Sequence, residues 1–226
     1  MEKISCSVFP NYCLGGETDE KLYMSLSPKT STRLSSNDRK IIKQMTKLPS
    51  NFELDRYGLH VRLVREEDAE FILSLRTNPK LSKYLHETDA SVPKQREWIR
   101  QYKKRERAGE DYYLIFFYQN QPIGVIRIYH IDEIKKSAMA GSWVCSPNIP
   151  IHIPIYVLII CREIMFDNLH LEKDCFEVRK DNKQVQRLHI MMGAKIISVD
   201  EEKCYYELTR EDFLREKESI IGILGC

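Results

Sequence analysis

The chain has 226 residues, 42% of them hydrophobic and 30% charged, and the two signs nearly cancel at a formal charge of +2. That length suits one globular domain with an appendage, or two very small domains, and that composition belongs to a folded chain rather than a disordered one. The balance excludes a protein built mainly to neutralise a nucleic-acid backbone, so no nucleic-acid partner is expected.

Seven cysteines are present, at 6, 13, 145, 161, 175, 204 and 226, an odd number with no CxxC pair. Four lie in or beside apolar runs, where a free thiol behaves as a small hydrophobe; no zinc spacing and no disulfide framework is visible. The opening MEKISCSVFPNYCLGG has no apolar core behind a basic head. The longest apolar stretch, IPIYVLIIC, is too short to span a bilayer and contains Pro154. A cytoplasmic location without a membrane partner is the expectation.

Residues 1–50 read as an extension. SLSPKTSTRLSSNDRK is rich in Ser, Thr, Pro and charge, RKIIKQMTKL admits one short helix, and Met45 is an alternative start. The patterned domain covers 51–216, and 217–226 forms an apolar tail. Within the domain, LHVRLV alternates as a strand, and REEDAEFILSLRTN follows as a helix with an acidic start. NPKLSKYL is a short helical piece. SVPKQREWIRQYKKRERAGE is a helix, capped by Ser91, buried through Trp98, Ile99 and Tyr102, and ended by Gly109. DYYLIFFYQ and IGVIRIYHI form a hairpin about NQP, and AMAGSWVCS is a third strand. NIPIHIP is a loop before the apolar helix IYVLIICREIMFDNLH. KDCFEVRK is a strand, NKQVQRLHIMMG a helix ending at Gly193, and AKIISV and KCYYELT a strand pair. Grouped strands with helices on both faces make an α+β, or mixed α/β, domain.

Four segments in this order resemble the GNAT N-acetyltransferases, and most the branch of ribosomal-protein-alanine and amino-sugar acetyltransferases. They are VRLVREEDAEFILSLRTNPKLSKYL, QPIGVIRIYHI, GSWVCSPN and NKQVQRLHIMMGAK, and the resemblance covers roughly Leu59 to Arg210. The resemblance implies a central, mostly antiparallel mixed sheet whose fourth and fifth strands splay apart. It also implies acetyl-CoA as cosubstrate and a primary amine as acceptor: a small amine, an amino sugar (nucleotide-linked) or a protein N-terminus. VRKDN and SWVCSPN tilt the choice towards an amino sugar.

The pantetheine arm is then expected along Trp143, Val144, Cys145 and Ser146, and the pyrophosphate on backbone N–H groups at the start of the next helix. There the resembling family has a glycine-rich loop, whereas this chain has PNIPIHIPIY, with His152 and Pro154 where glycines usually stand. Ile151, His152, Ile153 and Ile155 are the phosphate-binding candidates. Asn182, His189 and Gly193 fall at the spacing of the family's Asn, general-acid and Gly positions. Asn182 is a helix cap or a pantetheine contact. His189 is the candidate general acid to the leaving thiolate, or a core histidine. Glu177 leads the candidates for general base, with His130 and Asp132 as rivals. Trp143 is either core or acceptor-pocket wall, and KKRER near Lys103 is a solvated face or an attractor for an anionic acceptor. A non-catalytic GNAT-like binding module, motivated by the glycine-poor loop, is the alternative to an enzyme. A homodimer is left open.

Overall fold

The computed structural model describes residues 47–84 and 88–225. Of the short helix expected at residues 39–48, residues 39–46 lie outside the described residues and 47 and 48 are not helical; the alternative start at Met45, and Cys6, Cys13 and Cys226, also lie outside them. Ordered packing begins before residue 51: Leu48 is buried in the core, and its N–H donates to the Tyr112 hydroxyl at 3.2 Å.

Alternation sets the first predicted strand. Leu59, Val61 and Leu63 are buried and His60 and Arg62 lie between, giving β2 (Leu59–Leu63). Ahead of it stands β1 (Glu53–Arg56), whose mostly exposed residues carry no alternating signal. A two-residue turn at Tyr57 and Gly58, with φ of 51° and 72°, joins them as twisted hairpin strands require.

A single 3-10 turn (Glu66–Asp68) leads into α1 (Ala69–Arg76). The NPKLSKYL piece holds one 3-10 turn, Ser82–Tyr84. Helix α2 (Val92–Ala108) begins as expected, the Ser91 side chain accepting from Lys94 N–H, and stops at Gly109 with φ 79°. Strands β3 (Asp111–Tyr118) and β4 (Gln121–Asp132) turn through Gln119 and Asn120, at φ 50° and 61°, so Gln121 and Pro122 belong to the strand rather than to the turn. Then come β5 (Ser137–Cys145), α3 (Ile153–Glu163, continued by a π-helical turn Ile164–Asn168), β6 (Lys173–Arg179), α4 (Lys183–Met191), β7 (Lys195–Val199) and β8 (Lys203–Thr209). Helix α5 (Arg210–Leu224) runs straight through the expected boundary at 216, and Lys217 and Ile220 are buried on it. The apolar end is the last part of a docked helix, not a separate tail.

The eight strands lie in the order β1-β2-β3-β4-β5-β6-β8-β7. Neighbours are antiparallel except β5 and β6, which run parallel. One face is covered by α1 and α2, through a core including Ile72, Ile99, Tyr102, Ile115 and Val144. On the other face a larger core joins the sheet to α3, α4 and α5 through Trp143, Leu158, Phe176, Leu188 and Phe213. The expected mixed α/β architecture is therefore present. Among the described residues, no helix is long and apolar enough to cross a membrane, and no group of three His, Cys, Asp or Glu is placed to hold a metal ion.

Candidate active site

Strands β5 and β6 share only two registered pairs, Ser137↔Lys173 and Ala138↔Asp174, and then part into a fork. A side chain intervenes at the parting. Asp174 Oδ1 accepts the Ala140 N–H at 3.0 Å, so a carboxylate takes a donor that a continuing ladder would have used. That carboxylate is fully buried and needs a counter-charge. Arg162, inside α3, supplies it with Nε 3.1 Å from Oδ2. Burial still holds the Asp174 carboxyl above its ordinary range, with Arg162 pulling the other way. Arg162 also donates Nη2 to His189 Nδ1 at 2.8 Å and places Nη1 2.7 Å from Met192 Sδ. One cation thus links α3, β6 and the α4 region beside the fork.

His189 is part of this buried network. A guanidinium only donates, so Nδ1 is the acceptor and Nε2 carries the hydrogen. Burial first, and the Arg162 charge second, push the ring's pKa well below the ordinary imidazole value. The ring is fully enclosed, 4.3 Å from Phe176 and 6.4 Å from Tyr206 between centroids. A neutral, enclosed imidazole is a poor proton donor to a thiolate. The general-acid expectation is corrected on that ground: the geometry gives His189 a packing and hydrogen-bonding place.

The opposite arm of the fork carries a bulge. Val125↔Val144 pair on one side and Arg127↔Gly141 on the other, so Ser142 and Trp143 face the single Ile126. Ser142 takes φ 50°, and such an insertion turns backbone polar groups out of the ladder. Trp143 and Cys145 point into the larger core and Val144 into the smaller one. Trp143 is therefore core rather than pocket wall. Ser146 N–H extends the pairing with β4, donating to Ile123 O at 2.7 Å.

The start of α3 differs from a phosphate cradle of free amides. Ile153 N–H donates to Pro150 O at 3.0 Å, Pro154 has no N–H, and Ile155 N–H donates to His152 O at 3.1 Å. Ile153 and Ile155, two of the expected phosphate donors, already have backbone partners. Ile151 and His152 lie in the turn before the helix. The Ile151 side chain is exposed, and the His152 ring packs edge-on to Tyr156 at 5.7 Å.

Asn182 precedes α4 and is buried, but its side chain makes no cap bond to the helix. Its carbonyl accepts Gln186 N–H at 3.1 Å, and Gln186 Nε2 binds the Arg179 and Lys180 carbonyls at 2.9 Å each. Glu177 lies on the face of β6 opposite Asp174 and is engaged by Lys203 Nζ at 2.7 Å. Asp132 closes a turn, accepting from the N–H groups of Ile134 and Lys135, and His130 is exposed with φ 53°. The basic run of α2 is largely paired locally: Lys103 with Glu106 at 2.8 Å and Arg105 with Asp111 at 3.1 Å.

Two strands that splay apart in a mostly antiparallel sheet, ahead of a helix start, are what the sequence resemblance implied; the parallel pairing and the bulge are added by the structure. A family model described as acetyltransferase (GNAT) domain matches residues 59–195. The chain belongs to the GNAT acetyltransferase family. Among solved structures this GNAT is similar to FdhC in its apo form, described as a nucleotide-linked sugar GNAT. The two are 38% identical over 75% of this chain and 96% of that one, with a TM-score of 0.69. A spermidine N-acetyltransferase from Vibrio cholerae, solved with CoA and spermine, is 18% identical over 70% and 99%, with a TM-score of 0.62. A ribosomal-protein-S5-alanine acetyltransferase from Vibrio fischeri is 13% identical over 72% and 99%, with a TM-score of 0.61. The last two share the fold. No curated protein matches the chain. Because β1 precedes the strand that opens the family match, the family's fourth and fifth strands are β5 and β6 here.

Sequence reading missed the Arg162–Asp174 pair. The available signal was Arg162 itself, a charge inside the apolar run IYVLIICREIMF, which burial would force to find a partner.

Proposed function

We propose that this GNAT transfers an acetyl group from acetyl-CoA to the amine of a nucleotide-linked amino sugar. The observation that carries the acceptor class is the 38% identity to a nucleotide-linked sugar GNAT across nearly all of that protein. The spermidine and ribosomal-protein enzymes, at 18% and 13%, support no acceptor. On this reading the fork holds the pantetheine arm against β5 from Trp143 to Ser146. The N–H groups of Ile151 and His152, with the His152 ring, meet the pyrophosphate near the positive end of α3. The fork aligns thioester and amine, which supplies proximity and orientation. Glu177, paired with Lys203 at 2.7 Å, is the candidate to receive the amine's proton, directly or through water. His189 holds Arg162 and so the base of the fork.

The test has two parts. Calorimetric titration with acetyl-CoA is expected to give micromolar binding. Thiol release is then expected with UDP- or dTDP-linked amino sugars and not with spermidine or an N-terminal alanine peptide. Turnover with the peptide alone would move the acceptor class to protein N-termini. The amides consumed at the start of α3 favour a second reading, a non-catalytic module on the same fold. Absence of acetyl-CoA binding at millimolar concentration would decide for it.

A further inference from the structure

Tyr129 of β4 carries a hydroxyl with no hydrogen-bond partner among the described residues, although the side chain is only 4% exposed. A buried polar group left in that state costs stability and calls for an explanation. Its position supplies one. Gly141, the β5 residue just ahead of the bulge, has no Cβ where a Cβ would sit 2.5 Å from the Tyr129 oxygen and 2.9 Å from a ring carbon. The phenol therefore lies against bare β5 backbone, three residues beyond the last β5–β6 pair. From the other arm, the charges of Glu177 and Asp174 both act on it. The oxygen is thus set beside the β5 arm, where that strand has parted from β6. Burial, reinforced by those carboxylates and opposed by Arg127 4.8 Å from the ring, keeps the phenol protonated. It is a fixed donor, not a base.

We propose that the Tyr129 hydroxyl donates a hydrogen bond to the carbonyl oxygen of the acyl thioester lodged in the fork. No proton is transferred. The bond polarises the carbonyl, and it strengthens as the amine adds and negative charge gathers on that oxygen. Gly141 is the positioning residue that lets the ring lie there. The inference rests on the acetyl-CoA reading above.

The experiment uses Tyr129→Phe in the full chain, with acetyl-CoA and free CoA as probes in calorimetry, alongside thermal unfolding. Only acetyl-CoA carries the carbonyl. The expected result is that the acetyl-CoA Kd rises about fivefold, the factor for one neutral hydrogen bond, while the CoA Kd stays unchanged. The Tm is expected to hold or rise, because the variant removes an unsatisfied buried hydroxyl and keeps the ring. Equal weakening of both ligands, no change in either, or a Tm lower by several degrees would overturn the assignment and make the hydroxyl structural. Failure of the unmodified protein to bind either ligand is a different outcome: it would sink the acetyl-CoA reading and this inference with it.

Discussion

Removing one member of a buried ion pair leaves the other charged and dry, and typically costs about 3–5 kcal/mol. Arg162 and Asp174 are both fully buried, and Asp174 also holds the Ala140 N–H. Asp174→Ala is therefore expected to lower the unfolding free energy by that amount in urea titrations. Adding Arg162→Met should recover part of the loss, because the stranded cation is gone. If the double variant is no better than the single one, the Ala140 bond and the cavity carry the effect, not the charge. His189 gives a prediction in pH. An unfolded histidine takes up a proton near pH 6.5, whereas the folded ring stays neutral to well below that. The unfolded state thus binds more protons as pH falls. Stability present in full above about pH 6.5 is lost below it, by up to about 1.4 kcal/mol per pH unit. His189→Phe should be less stable at pH 7.5, since Arg162 loses an acceptor, yet show a flatter stability profile between pH 6.5 and 5. It should keep its turnover per folded molecule. A drop of two or more orders of magnitude in kcat with acetyl-CoA affinity intact would restore the ring to the chemistry.

Most elements were legible because each declares itself locally. Ser91 and Gly109 bracket α2, and Gly193, at φ 94°, ends the α4 region where the spacing placed it. What was not legible depends on pairings across sequence distance. Strand β1 has exposed residues and no alternation, and it exists because β2 offers it an edge. Asp174 looks like a surface charge in KDCFEVRK until Ala140 and Arg162, 34 and 12 residues away, are folded against it. The start of α3 was legible in composition but not in consequence. Pro154 was visible as a missing donor; the diversion of the Ile153 and Ile155 N–H groups to local carbonyls needed the fold. This element yields its own test. Pro154→Ala adds one N–H to the first turn, where a bound phosphate would accept it. Acetyl-CoA should bind about tenfold more tightly or better, since a hydrogen bond to a charged group is worth about 1.5–3 kcal/mol. Unchanged affinity would mean that the pyrophosphate lies away from this turn.

At the scale of the molecule, the two ends of the described chain meet at Glu163. This buried carboxylate at the end of α3 takes Arg56 Nε at 2.7 Å, the Tyr57 hydroxyl at 2.8 Å and Lys217 Nζ at 3.1 Å. Arg56 and Tyr57 come from the β1–β2 hairpin and Lys217 from α5, so the hairpin, the helix behind the fork and the C-terminal helix share one anchor. Tyr57 holds φ 51°, uncommon for a bulky side chain, while its ring stacks on Tyr156 at 5.1 Å. The family match at 59–195 omits β1, β8, α5 and all but the first residue of β7. Strand β8 lies between β6 and β7 and pairs with β6 at seven positions, from Lys173↔Thr209 to Arg179↔Lys203. Without it one arm of the fork loses its outer neighbour, and β7 has nothing to pair with. A chain ended after residue 195 should therefore show no cooperative urea transition. One ended after Thr209 keeps the whole sheet and should unfold cooperatively, but at lower urea, having lost Phe213, Lys217 and Ile220 from the core. If the chain ended at 195 unfolds as cooperatively as the full one, the fork is held by β5, α3 and Asp174 alone, and the outer strands and α5 only cover it.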